Sequence, residues 1–180
     1  MKIKNFEAVY PFRGYVTEKV TCTGIGIQID LRWDARRKLA CPSCGCKMAK
    51  NRERKKTAFD LACGNGPVTL ITYPSIQGRF SGCGSYSTII SDEIHPTKKA
   101  TWRLMRYVSM LARFVPLDAM KAICEVPAAT AWRYDKAVLE ADLPEPKLDG
   151  IRALLVDEKS VRKGHRYVTV VLDADTGELL

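Results

Sequence analysis

Gly150-Ile-Arg-Ala-Leu-Leu-Val-Asp157-Glu-Lys-Ser-Val-Arg-Lys-Gly164-His-Arg-Tyr-Val-Thr-Val-Val-Leu-Asp173-Ala-Asp-Thr-Gly177-Glu-Leu-Leu180 decides how the rest of the chain is read. The apolar run Ile151 to Val156 predicts a buried strand that leads straight into Asp157. Tyr167 to Leu172 predicts a second strand after a Lys-Gly-His turn. The Asp173 to Gly177 turn then launches a third. Two strands and a stub bury too little area for independent stability. Val168, Val170 and Leu172 would show an apolar face beside an open edge. The stretch therefore reads as the opening of a larger sheet domain.

Upstream, Leu143-Pro-Glu-Pro-Lys-Leu-Asp-Gly150 is a stiff, Pro-bearing linker. Residues 94–142 are predicted to be helical. Thr97 is the expected N-cap of a first helix over Lys98 to Phe114, ended by Pro116. Leu117 to Cys124 makes a short second helix. Pro127 suits the first turn of a third, which runs to about Ala141. On the first helix Ala100, Leu104, Tyr107, Val108, Leu111 and Val115 share one face. Lys99, Arg103, Arg106 and Arg113 share the opposite side, within roughly 80° at 3.6 residues per turn. A short helix, a tight Glu125-Val126 turn and a longer helix resemble a helix-turn-helix. Ala131, Tyr134 and Val138 then pack inward. Thr130, Arg133 and Lys136 lie on or near the outward side, with Arg133 suited to a bidentate guanine contact and Lys136 to a phosphate. Trp132 is open to two readings, stacking on a base or burial against a neighbouring element.

Nearer the N-terminus, Ile25, Ile27, Ile29, Leu31 and Trp33 recur with the period of two that marks a half-buried strand. Val68 to Tyr73 reads as another strand, after a Gly64-Asn65-Gly66 turn. Between Arg32 and Lys56 stand Arg32, Arg36, Arg37, Lys38, Lys47, Lys50, Arg52, Arg54, Lys55 and Lys56, against only Asp34 and Glu53. Such a cluster suits phosphate contact and counterion release.

The whole chain of 180 residues carries a net charge of +9, from 29 basic and 20 acidic residues. That balance points to a polyanionic partner, with nucleic acid ahead of an anionic membrane surface. No apolar run approaches the ~20 residues of a membrane span, and the N-terminus lacks a signal-peptide core. A membrane partner and secretion are therefore not expected. Seven cysteines, with a tight Cys41-Pro-Ser-Cys44 pair, read in a reducing compartment as metal ligation plus buried thiols rather than a disulfide frame. Zinc takes four such ligands in a tetrahedron, commonly from two turns.

Taken together, these features resemble the ISL-type family of insertion-sequence DDE transposases, which carry a zinc ribbon and a helix-turn-helix before an RNase-H-like core. The resemblance runs continuously from about Ile94 to Leu180, including Glu158-Lys159 and Gly164-His165-Arg166-Tyr167. Further upstream it continues through Phe59-Asp60-Leu61, Val68 to Leu70 and Arg79-Phe80. It implies an α+β chain of several modules: an N-terminal β segment (1–40), a zinc-ribbon-like module (41–93), a three-helix helix-turn-helix module (94–142), a linker (143–150) and a truncated start of an RNase-H-like core (151–180). It makes Asp157 the first catalytic aspartate and Cys41, Cys44 and Cys83 zinc ligands. Cys46, Cys63 or His95 is left as a fourth, because Ser81-Gly82-Cys83-Gly84-Ser85-Tyr86 offers one cysteine where the family offers two ligands. The alternative is a decayed ribbon whose cysteines are small buried hydrophobes.

DNA contacts are expected at Lys99, Arg103, Arg106, Thr130, Arg133 and Lys136. The partner is double-stranded DNA of transposon terminal repeats, with the chain itself or a full-length transposase as a further partner. The place is the bacterial cytoplasm, at the nucleoid. Magnesium belongs only to a completed catalytic core, since two-metal phosphoryl transfer needs several carboxylates; the chain alone is expected to be inactive. A stand-alone DNA-binding regulator or inhibitor of transposition is the alternative.

Overall fold

A computed structural model describes residues 11–24, 26–41, 44–62, 68–143, 148–162 and 166–180. The turns expected at Gly64–Gly66 and Lys163–His165, the prolines of the linker, and Cys63 lie outside these residues. The chain divides into two compact units, Met1–Ala141 and Asp142–Leu180.

In the first unit β1 (Tyr15–Thr23) and β2 (Gly26–Trp33) form an antiparallel hairpin. β3 (Met48–Asp60) and β4 (Val68–Phe80) form a longer one, with an irregularity between Lys50 and Arg52. β4 is the central strand. Its first half pairs in parallel with β2, from Gly26↔Val68 to Asp30↔Thr72. Its second half pairs with β5 (Tyr86–Ile89). The N-terminal segment and the cysteine-bearing segment thus share one sheet. Gly26 permits this: its φ is +142°, and a Cβ there would meet the Val68 carbonyl oxygen at 2.0 Å.

Period-two alternation builds the interior, as the isoleucine run predicts. Ile29 and Leu31 of β2 meet Ala58, Ile71, Tyr73 and Ile94, with Phe12 and Tyr15 closing the cluster. Cys41, Met48, Ile76 and Phe80 form a second cluster farther along β4.

The helical part differs from expectation at its start. The first helix, α1, is Trp102–Ala112, and its N-cap is Thr101 rather than Thr97. Thr101 Oγ1 accepts from the Leu104 amide at 3.2 Å. Just ahead of it Ala100 is held in a bridge to β3: the Phe59 amide donates to the Lys99 carbonyl, and the Thr101 amide donates to the Phe59 carbonyl, both at 2.9 Å. Sheet pairing thus captures the backbone that periodicity assigns to a helix. Lys99 sits before α1, with φ +48°.

A 3-10 turn (Leu117–Ala119) leads into α2 (Met120–Cys124), and α3 is Ala128–Asp142. Glu125, in the left-handed region, makes the turn between them. The Pro127 carbonyl accepts from the amides of Thr130 and Ala131, which starts α3 where the sequence suggests. Leu104, Met105, Val108, Met120, Val126, Ala131, Tyr134 and Val138 close the helical core. No helix among the described residues is long and apolar enough to cross a membrane.

The second unit is an antiparallel hairpin of β6 (Leu154–Arg162) and β7 (Arg166–Asp173). The chain then turns at Gly177, whose amide donates to the Asp173 carbonyl at 2.8 Å, and Leu179 pairs back on Leu172. Two expectations fail here. β6 begins at Leu154, not Ile151, and continues past Asp157. It is also exposed rather than buried along residues 152–160, because this short unit has no second layer of its own to cover either face.

Candidate metal centre and basic surface

Two turns of the first unit have the same backbone design. In one, the Cys41 amide donates to the Cys46 carbonyl and the Gly45 amide to the Cys41 carbonyl, each at 2.9 Å. In the other, the Phe80 amide donates to the Ser85 carbonyl at 3.0 Å and the Gly84 amide to the Phe80 carbonyl at 2.9 Å. Gly45 and Gly84 both have φ +68°, a conformation that favours glycine. The correspondence matches Cys44 with Cys83 and Cys41 with Phe80. Phe80 is 1% exposed and belongs to the core. The second turn therefore supplies packing at the position where the first supplies a thiol.

The sulfurs of Cys41, Cys44 and Cys83 all lie within 4.8 Å of one another. Cys41 Sγ and Cys83 Sγ are 3.7 Å apart, close to the edge of about 3.8 Å expected for a tetrahedron of Zn–S bonds near 2.3 Å. The cluster could hold a metal ion. Cys46 Sγ is packed against Gly82, where any Cβ would approach it to 2.1 Å, and it lies outside the mutual cluster of three. Ser85 Oγ is 2.9 Å from Cys83 Sγ. His95 is engaged elsewhere. Its Nδ1 accepts from the Thr97 and Lys98 amides at 3.1 and 3.3 Å, and its ring packs on Trp102 at 4.7 Å.

Three crowded thiols cannot all ionise easily without a cation. The Ser85 hydroxyl and amide lead in lowering Cys83 to about 7. For Cys44 a backbone hydrogen bond from Cys46 favours the thiolate, but the Cys41 and Cys83 sulfurs and burial outweigh it and push the thiol up to about 12. A metal taking all three as thiolates must displace protons, above all from Cys44.

The basic residues separate into committed and open groups. Arg103 is held by Asp60, its Nε donating to Oδ1 at 3.2 Å and its terminal nitrogen to Oδ2. Thr101 Oγ1 and the Leu61 amide donate to the same carboxylate at 2.6 and 2.7 Å. Asp60 is buried, so it ties the end of β3 to the start of α1. Sequence reading missed this role, although an acid spaced two residues from buried Ala58 on one strand face is a signal. Arg106 lies over the Trp102 ring at 5.5 Å. Arg133 is exposed on α3. Lys136 pairs with Glu140 at 3.7 Å and lies over Trp132 at 5.8 Å. Trp132 itself is 55% exposed. Thr130 is half-buried and lines a cavity of about 260 Å³ with Phe59, Val126 and Tyr134.

Asp157 stands in the middle of β6, opposite Val170 and exposed. Arg152 and Asp175 are joined at 3.0 Å.

No family model matches the chain, and no solved structure matches it significantly. Over 76 residues it is 37% identical to the transposase for insertion sequence element IS1001 of Bordetella parapertussis. The aligned stretch is 42% of this chain and 19% of that transposase, so the match spans about a fifth of the relative's length. Over that stretch the chain is related to an insertion-sequence transposase.

Proposed function

We propose that the chain is a DNA-binding portion of an insertion-sequence transposase and recognises transposon-end duplex DNA. The observation that carries this is the 37% identity to a transposase over 76 residues. The net charge of +9 and the basic outer strand of the sheet supply the chemistry, since neutralising phosphates releases counterions. α2, the left-handed Glu125 turn and α3 follow the order of a helix-turn-helix, with Arg133 outward on the second helix.

In the same reading the two glycine turns are a zinc ribbon of the ISL-type family with three thiol ligands. Zinc, when bound, would cross-link the turns and stabilise the end of the sheet. Asp157 is proposed as the first carboxylate of an RNase-H-like DDE core. The test is affinity of the full chain for the terminal repeats of its element against a scrambled duplex. Preference for the repeats supports the reading; equal affinity removes end recognition, and no binding removes DNA as the partner.

A further inference from the structure

We propose that the cleft between the outer edge of β3 and the loop before α1 is a seat for a backbone phosphate of duplex DNA. The inference deepens the DNA-binding reading and rests on it. At Phe59 the outer side of β3 is met by the segment around Lys99 and Thr101. Main-chain groups alternate in direction along a strand, so the amides of Thr57 and Lys55 face the same side as that of Phe59. Among the described residues neither amide has a partner there. These are unspent donors at an open edge.

The residues around them are cationic. Lys55, Lys56 and Lys99 line the cleft, with Thr57, Thr97 and His95, and its volume is about 380 Å³. Among the described residues no carboxylate lines it. Lys50, Lys121 and Lys136 each pair with a glutamate, whereas none of the three cleft lysines has an ion pair among the described residues. Lys55 and Lys56 occupy opposite faces of the strand, so their charges flank its edge. Lys99 is fixed at the other rim in a left-handed conformation that is costly for a residue with a Cβ. Backbone donors at an open edge, three uncompensated lysines and no acid fit a phosphodiester.

The experiment compares two charge-matched double variants of the full chain on a mixed-sequence duplex across a salt series. One is Lys55→Ala with Lys56→Ala in the cleft, the other Lys19→Ala with Lys159→Ala outside it. All four side chains are exposed, and melting curves check that folding is kept. The cleft variant is expected to lose on the order of tenfold in affinity and to flatten the log–log salt slope by about 1 to 2. The matched variant is expected to change the slope by much less. Equal behaviour of the two overturns the seat while leaving DNA binding intact. If the unaltered chain binds no duplex, the DNA reading falls by itself. Titration with inorganic phosphate, followed at the Thr57 and Thr97 amides, then separates the two failures. A saturable shift lost in the cleft variant supports a seat for free phosphate, and no shift overturns the seat altogether.

Discussion

Along β3 the exposed side chains include Lys50, Arg52, Arg54, Lys55 and Lys56, while along β6 and β7 they include Leu154, Leu155, Val156, Tyr167 and Val168. Both are long antiparallel strands, yet their neighbours differ. β3 runs at the sheet edge beside β4, whose Ile71, Tyr73 and Ile76 are buried, while β3 itself is exposed from Ala49 to Thr57 and carries polar side chains there. The β6–β7 hairpin places apolar residues on both faces, and among its described residues none is buried. The first unit presents a polar, cationic strand to solvent, whereas the second exposes apolar side chains. The contrast gathers the exposed basic side chains of β3 in the unit ending at Ala141.

The largest expected effect comes from Asp60. Asp60→Ala removes the Asp60–Arg103 ion pair and the acceptor of Thr101, and should cost about 3 kcal/mol, moderated because Arg103 reaches water. Trp33, Trp102 and Trp132 all belong to the first unit, so urea unfolding followed by tryptophan fluorescence reads this directly. Amide shifts of β6 and β7 should stay in place; movement there would blur the separation of the units.

Next in size is the candidate metal centre. Zinc bound per chain should vanish in Cys41→Ser and survive in Cys46→Ser, as measured by elemental analysis. Survival in Cys41→Ser would remove the paired-turn account. Uptake should weaken as pH falls, because each ligand must lose its proton, and Cys44, raised to about 12, resists most. A pH-independent affinity would contradict thiolate ligation.

Arg133→Ala should reduce discrimination between terminal-repeat and scrambled DNA by about 1–3 kcal/mol. An equal loss on both duplexes would make Arg133 a phosphate contact instead. The smallest effect is expected at Lys99. Lys99→Gly relieves a left-handed backbone and should leave stability unchanged or raise it by up to about 1 kcal/mol, while weakening duplex binding. A clear loss of stability on thermal denaturation would show that the Lys99 side chain holds the loop.

These outcomes also bear on what the sequence makes legible. Ile27, Ile29 and Leu31 announce β2 because alternation is a local property, and Pro127 announces α3 for the same reason. The start of α1 is not local. Lys98 to Ala100 have helical periodicity, but Ala100 bridges to Phe59, some forty residues upstream, and Lys99 turns through the left-handed region, so the helix starts later. The parallel union of β2 with β4 is hidden for the same reason. Within the site, Cys41 and Cys44 stand out by spacing, whereas Asp60 is visible only once the strand's buried face is known. The expected basic stripe of α1 dissolves because Lys99 lies before the helix and Arg103 is committed to Asp60. The cationic surface instead gathers on β3.

The most direct measurement is the salt dependence of full-chain binding to duplex DNA. The basic outer strand and α3 together predict a log–log slope of about −3 or steeper, each phosphate contact contributing about −0.9, with higher affinity for the terminal repeats than for scrambled DNA at every salt concentration. A flat response, or no binding to either duplex, would contradict the account.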